Sequence, residues 1–508
     1  MRFTGARSMW ARVRADQRLG FGAAAGLAAT FAVVSGWLTP RGPLTSGAAL
    51  ATMLAALAVG TGVGALVRSR WAMLFAPIVF VVVFEVIRIG AVGPTVDTPR
   101  LSSTYGLMAL VVGRGVHGLL VLLPLVVGTT LGRTLAHRLL DPEPTGQRRL
   151  TTGFALRRAV AVAGTLAVLV VAGGIARPAR TAAITDAEGR PVEGSVAELT
   201  SVRVGDHDLG LMIRGHSVDS PVLLFLAGGP GGSEVGAMRR HLPMLEEHFV
   251  VVTFDQRGAG RSHHQLEPTS TLTVDNAVAD VVEVADHLRD RFGVDQVVLV
   301  GQSWGTILGA LAVDEAPDRF SAFIGVGQMV STTETDRLIY DDTLSWARDQ
   351  DNDGLVDQLV DIGPPPYDDV LHYETALSHE HEVYPYDHAP NSEGMGGFSE
   401  NLFVGEYTLL EQLHALGGFL DVFWVMYPQL VEIDLRDDVA QMSVPVFLVQ
   451  GRFEARGRAE PAAEWFDRLA APHKEWIELG TSGHRPLFEQ PEEFHEVMVE
   501  RVLPLLTE

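Results

Sequence analysis

The chain has 508 residues, more than one ordinary domain needs, and it contains no cysteine, which excludes disulfides, a thiolate nucleophile and cysteine-based metal sites. Residues 1–180 hold 19 arginines and five acidic residues, a formal charge of +14, whereas the remainder carries −37. An acidic second half argues against nucleic acid as a partner, because a phosphate backbone is bound by a basic face.

The first 180 residues contain five apolar stretches, each close to the roughly 20 residues that a helix needs to cross a bilayer. The predicted spans cover about 19–38, 43–67, 71–92, 106–131 and 159–176. Alternate connections carry thirteen arginines on one side and four on the other. Because positive residues favour the cytoplasmic side, we predict a cytoplasmic N-terminus, a lipid bilayer as partner and, after five crossings, an extracytoplasmic second half. A re-entrant span would reverse that side.

Ionisable residues interrupt two of the apolar stretches. Glu85 and Arg88 lie in the third, and Arg114 and His117 lie in the fourth. Such groups are costly in lipid, so we expect them to face other helices. A proton or ligand path and an interhelical ion pair both fit the sequence. The ion pair is the favoured interpretation, since no second ionisable layer accompanies these residues.

From about residue 195 the pattern changes to short β-rich runs that alternate with helices, such as the one predicted at 274–292. The pair 202–204 and 209–213 is typical of a hairpin. Further apolar runs lie at 221–227, 249–254, 296–300, 322–326, 444–449 and 476–479. They are typical of buried strands in a largely parallel sheet. We therefore predict a transmembrane helical region at 1–180 and an α/β domain at 181–508, interrupted by a helical cap insertion at about 330–438.

A serine lies in a predicted strand-to-helix turn, in Gly301-Gln302-Ser303-Trp304-Gly305. In a nucleophile elbow the serine occupies a strained turn, and the flanking glycines let strand and helix pass closely. The first backbone N–H groups of the helix point toward developing negative charge. The sequence therefore predicts Ser303 as a nucleophile and Trp304 as one oxyanion donor.

Three further residues supply what such a serine needs. The segment Leu226-Ala227-Gly228-Gly229-Pro230-Gly231-Gly232-Ser233 follows an earlier strand, so a free N–H near Gly229 is predicted to complete the oxyanion hole; a flexible turn is the alternative. His484 lies between the last strand and the last helix, where the base belongs in the order Ser, acid, His. Glu454 follows the strand at 444–449 as the predicted acid, with Glu460 as a poorer fit and a surface role as the alternative.

Together these motifs resemble the prolyl-iminopeptidase branch of the α/β-hydrolases over roughly residues 195–505. Besides the glycine loop and the elbow, the family's Asp-Gln-Arg-Gly-x-Gly-x-Ser segment is present in full at 255–262. Three positions depart from the family pattern: Ala227 replaces a histidine, Gln302 a common glycine and Glu454 an aspartate. The last change keeps the charge and lengthens the side chain by one methylene.

The resemblance implies a serine hydrolase that cleaves small peptides or amides through an acyl-enzyme, without metal or organic cofactor. Family members bind the substrate amine with cap carboxylates, for which Glu400 and Glu406 are the candidates; exposed acidic loops are the alternative. An esterase acting on small acyl esters shares this chemistry. A membrane receptor that uses an inactive hydrolase domain is the alternative from another class. The sequence does not indicate an oligomeric state.

One stretch of the insertion, 349–354, resembles the start of a calcium loop. An EF-hand needs a glutamate at its twelfth position, where this chain has Val360. A solvated connection between helices is therefore the favoured interpretation.

Overall fold

The computed structural model describes residues 17–101, 103–140, 152–390, 392 and 397–506. The arginines at positions 2–14, together with Arg148 and Arg149, on which the predicted orientation partly depends, lie outside the described residues. The chain divides into two compact units. The helical unit comprises residues up to Arg100 and Leu107–Pro178, and the α/β unit comprises Leu101–Gly106 and residues from Ala179 onward.

The N-terminal part of the described chain is helical. Its α-helices are α1 Gln17–Leu38, α2 Ser46–Val67, α3 Ala72–Ile87, α4 Thr104–Leu110, α5 Val116–Leu140 and α6 Thr152–Ala176. A π-helical turn, Val111–Gly115, joins α4 and α5 into one long helix. In the described chain four helices are long and apolar enough to cross a membrane, and α3 is shorter, with 16 residues.

The span predicted at 71–92 is therefore too long. The helix ends at Ile87, and Gly90 and Gly93 follow with φ of 111° and 136°, values that a right-handed helix does not contain. At 1.5 Å per residue α3 spans about 24 Å, less than the roughly 30 Å of a hydrocarbon core. Membrane crossing and the number of spans remain predictions.

Helices α2 and α5 pack with their backbones almost in contact at two pairs of glycines. A Cβ atom at Gly60 or Gly64 would lie 2.1 Å from the carbonyl oxygen of Leu125 or Thr129. On α5, a Cβ at Gly132 would lie 1.8 Å from the carbonyl oxygen of Thr61. Glycines four residues apart at a close crossing are characteristic of helix pairs in membranes.

The ionisable residues of the helical unit contact each other. The guanidinium of Arg88 donates to Glu85 at 2.6 Å, and that of Arg114 donates to the same carboxylate at 3.3 Å. Arg114 also donates to the carbonyl oxygens of Val96 and Asp97, at 2.8 and 2.7 Å. These contacts agree with the ion-pair interpretation, in which the arginines fix the helices and the loop after α3.

The α/β unit is built on an eight-stranded sheet. Its strands are β1 Val196–Val204, β2 His207–Gly215, β3 Val222–Leu226, β4 Val250–Phe254, β5 Val297–Gln302, β6 Phe320–Val326, β7 Val446–Gly451 and β8 Lys474–Leu479. The strand order is β1-β2-β4-β3-β5-β6-β7-β8. The β1–β2 hairpin and the β2–β4 pair are antiparallel, and all other pairs are parallel. The predicted sheet is confirmed, with strand ends shifted by up to six residues.

Helices connect the strands and form the insertion between β6 and β7. The connecting and C-terminal helices are α7 Val235–His241, α8 Val274–Phe292, α9 Trp304–Glu315, α17 Arg456–Arg468, α18 Pro486–Glu489 and α19 Pro491–Val497. Those of the insertion are α10 Thr332–Asp349, α11 Asp353–Ile362, α12 Tyr373–Leu377, α13 Glu380–Val383, α14 Gly397–Leu402, α15 Leu409–Met426 and α16 Leu435–Asp438. Short 3₁₀ turns complete the connections. In the calcium-like stretch Asn352 caps α11, accepting from Leu355 N–H at 3.2 Å, as in the predicted helix connection.

Alternate residues of the central strands enter two cores on opposite faces of the sheet. On β3, Leu224 and Leu226 belong to one buried cluster, and Leu223 and Phe225 belong to the other. Covering both faces is what a parallel sheet requires. The carboxyl ends of β3, β5, β7 and β8 therefore meet along one rigid edge, and side chains placed just after them are held close together.

Candidate active site

Ser303 occupies a sharp turn between β5 and α9. Its φ is 53° and its ψ −121°, a strained combination for a residue with a side chain. A Cβ at Gly301 would lie 2.2 Å from the carbonyl oxygen of Gly305, and one at Gly305 would lie 2.3 Å from that of Leu226. The two flanking glycines thus permit a close crossing of strand and helix, and the turn holds the serine hydroxyl out of the sheet.

His484 lies in the loop after β8 and reaches the serine. Its Nε2 is 2.9 Å from Ser303 Oγ, and its Nδ1 is 2.6 Å from Glu454 Oε2. A carboxylate on Nδ1 fixes the tautomer in which Nδ1–H donates to Glu454 and Nε2 accepts the serine proton. Met329 Sδ lies 3.5 Å from the same hydroxyl, a longer and weaker contact. The three residues predicted from sequence are therefore joined in one hydrogen-bonded series.

Glu454 is held as an ionised carboxylate. Its second oxygen, Oε1, accepts from Arg458 Nε at 2.7 Å and from Ala455 N–H at 2.8 Å. Burial alone would raise the pKa of Glu454, but the charges of Arg458 and His484 outweigh burial and lower that pKa to about 2. The alternative acid, Glu460, has a side chain 57% exposed, 3.8 Å from Arg456. The longer side chain of Glu454 thus reaches the histidine where the family has aspartate.

The glycine loop after β3 lies against the elbow. A Cβ at Gly228 would lie 3.2 Å from Ser303 Cβ, and Gly229 has a φ of 129°. Trp304 is the first residue of α9, where a backbone N–H has no partner within the helix. The structure therefore brings both predicted oxyanion residues beside Ser303, on two separate chain segments.

A cavity of about 100 Å³ opens beside the serine. The glycine loop, the elbow and the insertion all contribute to its wall. Its lining residues are Gly228, Gly229, Gly232, Ser233, Glu234, Gln302, Ser303, Asn401, Leu402, Ala415, Leu416, Phe419 and Arg485. The insertion supplies the apolar wall, from the end of α14 and from α15, and the α/β core supplies the polar floor. Pockets of this mixed character bind small organic ligands.

The two cap carboxylates predicted to bind an amine differ in place. Glu400 is buried next to the lining residues Asn401 and Leu402, and its carboxylate is 2.5 Å from His241 Nε2 and 3.3 Å from Arg485. Glu406 does not line the cavity; it pairs with Arg239 at 3.2 Å and accepts from Thr181 Oγ1 at 3.0 Å. Neither carboxylate belongs to an exposed acidic loop.

Three charged residues of the site were not predicted from the sequence. Glu234 lies on the glycine loop, accepts from Gly228 N–H at 3.3 Å and is 3.2 Å from Arg485. Arg485 lies next to the base, and Arg458 lies one helical turn after Glu454. Adjacency to His484 and the i,i+4 spacing from Glu454 were the available signals. Arg458 additionally contacts Glu380 of the insertion.

Comparison with known proteins places the chain in a family. The family model for the alpha/beta hydrolase fold matches residues 221–491. A "Probable aminopeptidase YbaC" of Bacillus subtilis is 27% identical over 307 residues, which are 60% of this chain and 96% of the relative. A "Probable proline iminopeptidase" of Leptolyngbya boryana is 26% identical over 52% of this chain and 80% of the relative.

Among solved structures, a proline iminopeptidase-related protein from Thermus thermophilus is similar. It is 22% identical, with a TM-score of 0.44, and the match covers 61% of this chain and 99% of that one. The family match extends from the start of β3 to the start of α19, more than half of the 508 residues. The predicted α/β-hydrolase fold is confirmed, and the chain belongs to the alpha/beta hydrolase fold family.

Proposed function

We propose that this protein is a serine hydrolase of proline-iminopeptidase type, which removes an amino-terminal residue from small peptides or amides through an acyl-enzyme. The observation that carries the proposal is the series Ser303–His484–Glu454, with contacts of 2.9 and 2.6 Å, at the wall of a cavity. One relative is named a probable aminopeptidase and another a probable proline iminopeptidase.

The chemistry follows from these contacts. His484 Nε2 accepts the proton of Ser303 as Oγ attacks the substrate carbonyl carbon, and the negative charge on the carbonyl oxygen is stabilised by N–H groups of Gly229 and Trp304. His484 returns the proton to the leaving amine, which leaves an acyl-serine. Water then enters, loses a proton to His484 and releases the acid. Glu454 remains ionised throughout and stabilises the imidazolium.

The charges at the cavity favour a substrate with a free amine. Glu234 and Glu400 both approach Arg485, within 3.2 and 3.3 Å, so two carboxylates lie close together at this side of the cavity. An ammonium group that enters the cavity would be attracted to these carboxylates. In this proposal Glu400 takes the amine-binding role predicted for the cap, whereas the pairing of Glu406 with Arg239 gives it a structural role.

Labelling with a fluorophosphonate probe tests the proposal. We expect wild-type protein in membranes to label at Ser303 and the Ser303→Ala variant not to label. Ser201, an exposed serine on β1, provides a matched control, since Ser201→Ala should label normally. Absence of labelling in folded wild-type protein would overturn the catalytic proposal and favour the receptor alternative.

A small-ester hydrolase is the second candidate, because the cavity wall formed by Leu402, Ala415, Leu416 and Phe419 suits an apolar acyl group. Turnover of proline p-nitroanilide, an amide, and of p-nitrophenyl butyrate, an ester, distinguishes the two candidate functions. Glu400→Gln should weaken turnover of the first and leave the second unchanged if the amine is bound as proposed.

We further propose that the helical unit lies in a bilayer with the N-terminus in the cytoplasm and the catalytic unit outside. The arginine bias supports a cytoplasmic N-terminus, and the catalytic unit lies outside if the shorter helix α3 crosses the bilayer together with the four longer apolar helices. The chain has no native cysteine, so single cysteines report topology cleanly. On intact cells a membrane-impermeant maleimide should label Glu188→Cys and spare Ser69→Cys. Failure of Glu188→Cys to label, whether or not Ser69→Cys labels, would place the catalytic unit in the cytoplasm.

A further inference from the structure

An oxyanion hole built from two chain segments needs something to fix their spacing. Strands β3 and β5 pair in parallel, and their last paired residues are Leu226 and Gly301. The donors proposed above, Gly229 and Trp304, lie beyond that point, in the glycine loop and at the start of α9. Displacements of about 1 Å at a catalytic group cost on the order of 10²-fold in rate, so their spacing must be held closely.

A buried glutamine connects these two segments. Gln256 follows β4, and its Oε1 accepts from the indole Nε1–H of Trp304 at 2.9 Å. Its Nε2 donates to the carbonyl oxygen of Ala227, the first residue of the glycine loop, also at 2.9 Å. Gln256 is 7% exposed, and Trp304 and Ala227 are fully enclosed. One side chain thus crosses the ends of three neighbouring strands, β4, β3 and β5.

The amide group is matched to both partners. The indole is only a donor and the carbonyl is only an acceptor, so only one orientation of the amide satisfies both. A carboxylate of the same shape would place an oxygen against the Ala227 carbonyl, and a methionine would offer neither group. Because all three residues are buried, each lost partner leaves an unsatisfied polar group.

Gln256 is itself held from the opposite side. Asp255 N–H donates to the Gly210 carbonyl on β2 at 3.0 Å, and its side chain accepts from Tyr407 Oη and from Arg261 N–H. The residue just before the glutamine is therefore anchored to the sheet and to the insertion. A side chain on so fixed a base can set a distance between two other segments.

We propose that Gln256 is a positioning residue, which fixes the spacing between the two halves of the oxyanion hole by bridging Trp304 and Ala227. This inference rests on the proposed function. It also gives the segment at 255–262 a defined role: its aspartate anchors the backbone, and its glutamine sets the geometry of the site. The hydrogen bonds are made to the side chain of Trp304 and to the start of the loop that contains Gly229, so Gln256 acts without touching substrate.

The test compares labelling kinetics of full-length variants with a fluorophosphonate probe over a range of probe concentrations. For Gln256→Met we expect the maximal labelling rate to fall about 10- to 100-fold, with the half-saturating probe concentration nearly unchanged, since the reaction depends on the hole and initial binding does not. Gln256→Glu keeps the acceptor for Trp304 and should lie between wild type and Gln256→Met. Trp304→Phe should resemble Gln256→Met.

A double variant and a matched control separate positioning from general stability. Gln256→Met combined with Trp304→Phe should label no more slowly than the slower single variant, because both remove the same bridge. The control is Trp465→Phe, since Trp465 is a fully buried tryptophan whose Nε1–H donates to the Val439 carbonyl at 2.9 Å, away from the site. Trp465→Phe should lower the unfolding temperature about as much as Trp304→Phe does, but it should label at the wild-type rate.

The outcomes are distinct. Wild-type-like labelling of folded Gln256→Met, or an additive double variant, overturns the positioning role while the serine hydrolase proposal stands. Equal losses in Trp465→Phe and Trp304→Phe overturn it as well, because the effect would then follow stability alone. Failure of wild-type protein to label overturns the proposed function and this inference together.

Discussion

The two units differ in where their large apolar side chains lie: the central strands of the α/β unit bury them, whereas helices of the helical unit expose many of them. On β3, β4 and β5 every residue is buried, so both faces of the sheet are covered. On α2 and α6, large apolar residues such as Leu54 and Val170 are 67% and 73% exposed. The same kinds of residue form a core in one unit and an outer surface in the other.

The two units also differ in the contacts that hold their elements together. The α/β unit buries charged pairs around its site, among them Glu454 with Arg458 and Arg257 with Asp280. The helical unit relies on glycines that bring backbones together, at Gly60 and Gly64 of α2 and at Gly128 and Gly132 of α5. In a bilayer, as proposed for this unit, burial of large apolar residues adds little to helix association, and close backbone packing contributes more. The difference predicts which substitutions each unit tolerates.

The largest expected effect is at the triad carboxylate. Glu454→Gln keeps the size of the side chain but no longer stabilises the imidazolium or selects its tautomer, so kcat should fall about 10³- to 10⁴-fold. Turnover of proline p-nitroanilide measures this. Glu460→Gln, on the same segment with an exposed side chain, is the control and should be near wild type. If kcat of Glu454→Gln falls only slightly, Glu454 contributes to the structure and not to the reaction.

Arg458 is expected to show the next largest effect. The folded-state pKa of Glu454, about 2, lies below its ordinary value of 4.5, so this group adds stability above pH 4.5 that is lost as pH falls toward 2. Such a shift corresponds to roughly 3 kcal/mol. Arg458→Leu removes the larger of the two charges that offset burial, so the pKa of Glu454 rises and much of that stability should disappear at neutral pH.

Thermal unfolding of Arg458→Leu between pH 5 and pH 8 checks the expected loss. The matched control is Arg456→Leu, two residues earlier, because Arg456 is 42% exposed and pairs with Asp342 outside the triad. A surface pair of this kind contributes about 0–1 kcal/mol. Equal losses of stability in the two variants would show that the buried Glu454–Arg458 pair stabilises the α/β unit no more than the exposed pair does.

In the helical unit the sensitive positions should be glycines. Gly64→Ala places a methyl group 2.1 Å from the Thr129 carbonyl oxygen, so α2 and α5 must separate, at a cost of about 1–3 kcal/mol. Gly47→Ala on the same helix meets nothing within 4 Å and should be neutral or stabilising by up to about 1 kcal/mol. Thermal unfolding in detergent measures both. A loss of stability in Gly64→Ala without a loss in Gly47→Ala would support close backbone packing as the feature that stabilises the helical unit. Equal losses in the two variants would contradict it.

The sequence predicted correctly those features that depend on a short segment of the chain. The helix at 274–292 and the cores of all eight strands were predicted, because hydrophobic periodicity and glycines carry that information along the chain. Ser303, Glu454 and His484, the residues of the proposed triad, were predicted because each follows a strand end. The bridge made by Gln256 and the contact of Arg458 with Glu380 join residues far apart in sequence, and no local pattern encodes such pairs. The end of α3 was misplaced because an apolar run continues to Val92, past the glycine that ends the helix.

The smallest expected effect tests the cost of a buried charge in the insertion. Asp336 is enclosed on α10 and accepts from Tyr427 Oη at 2.7 Å. Burial raises the pKa of Asp336 from 3.8 to about 7, so the folded state favours the protonated form and loses stability as pH rises toward 7. Between pH 6 and pH 8 the loss is about 1 kcal/mol.

Asp336→Asn keeps the acceptor for Tyr427 and removes the titration. The unfolding temperature of the wild type, relative to that of Asp336→Asn, should therefore decrease between pH 6 and pH 8, with Asp357→Asn on the exposed face of α11 showing no such change. Parallel pH dependence in wild type and Asp336→Asn would mean that this carboxyl is already ionised at pH 6. The α/β unit would then hold a buried carboxylate in its charged form without a direct ion pair, whereas Glu454, Glu234 and Glu400 at the site each contact an arginine.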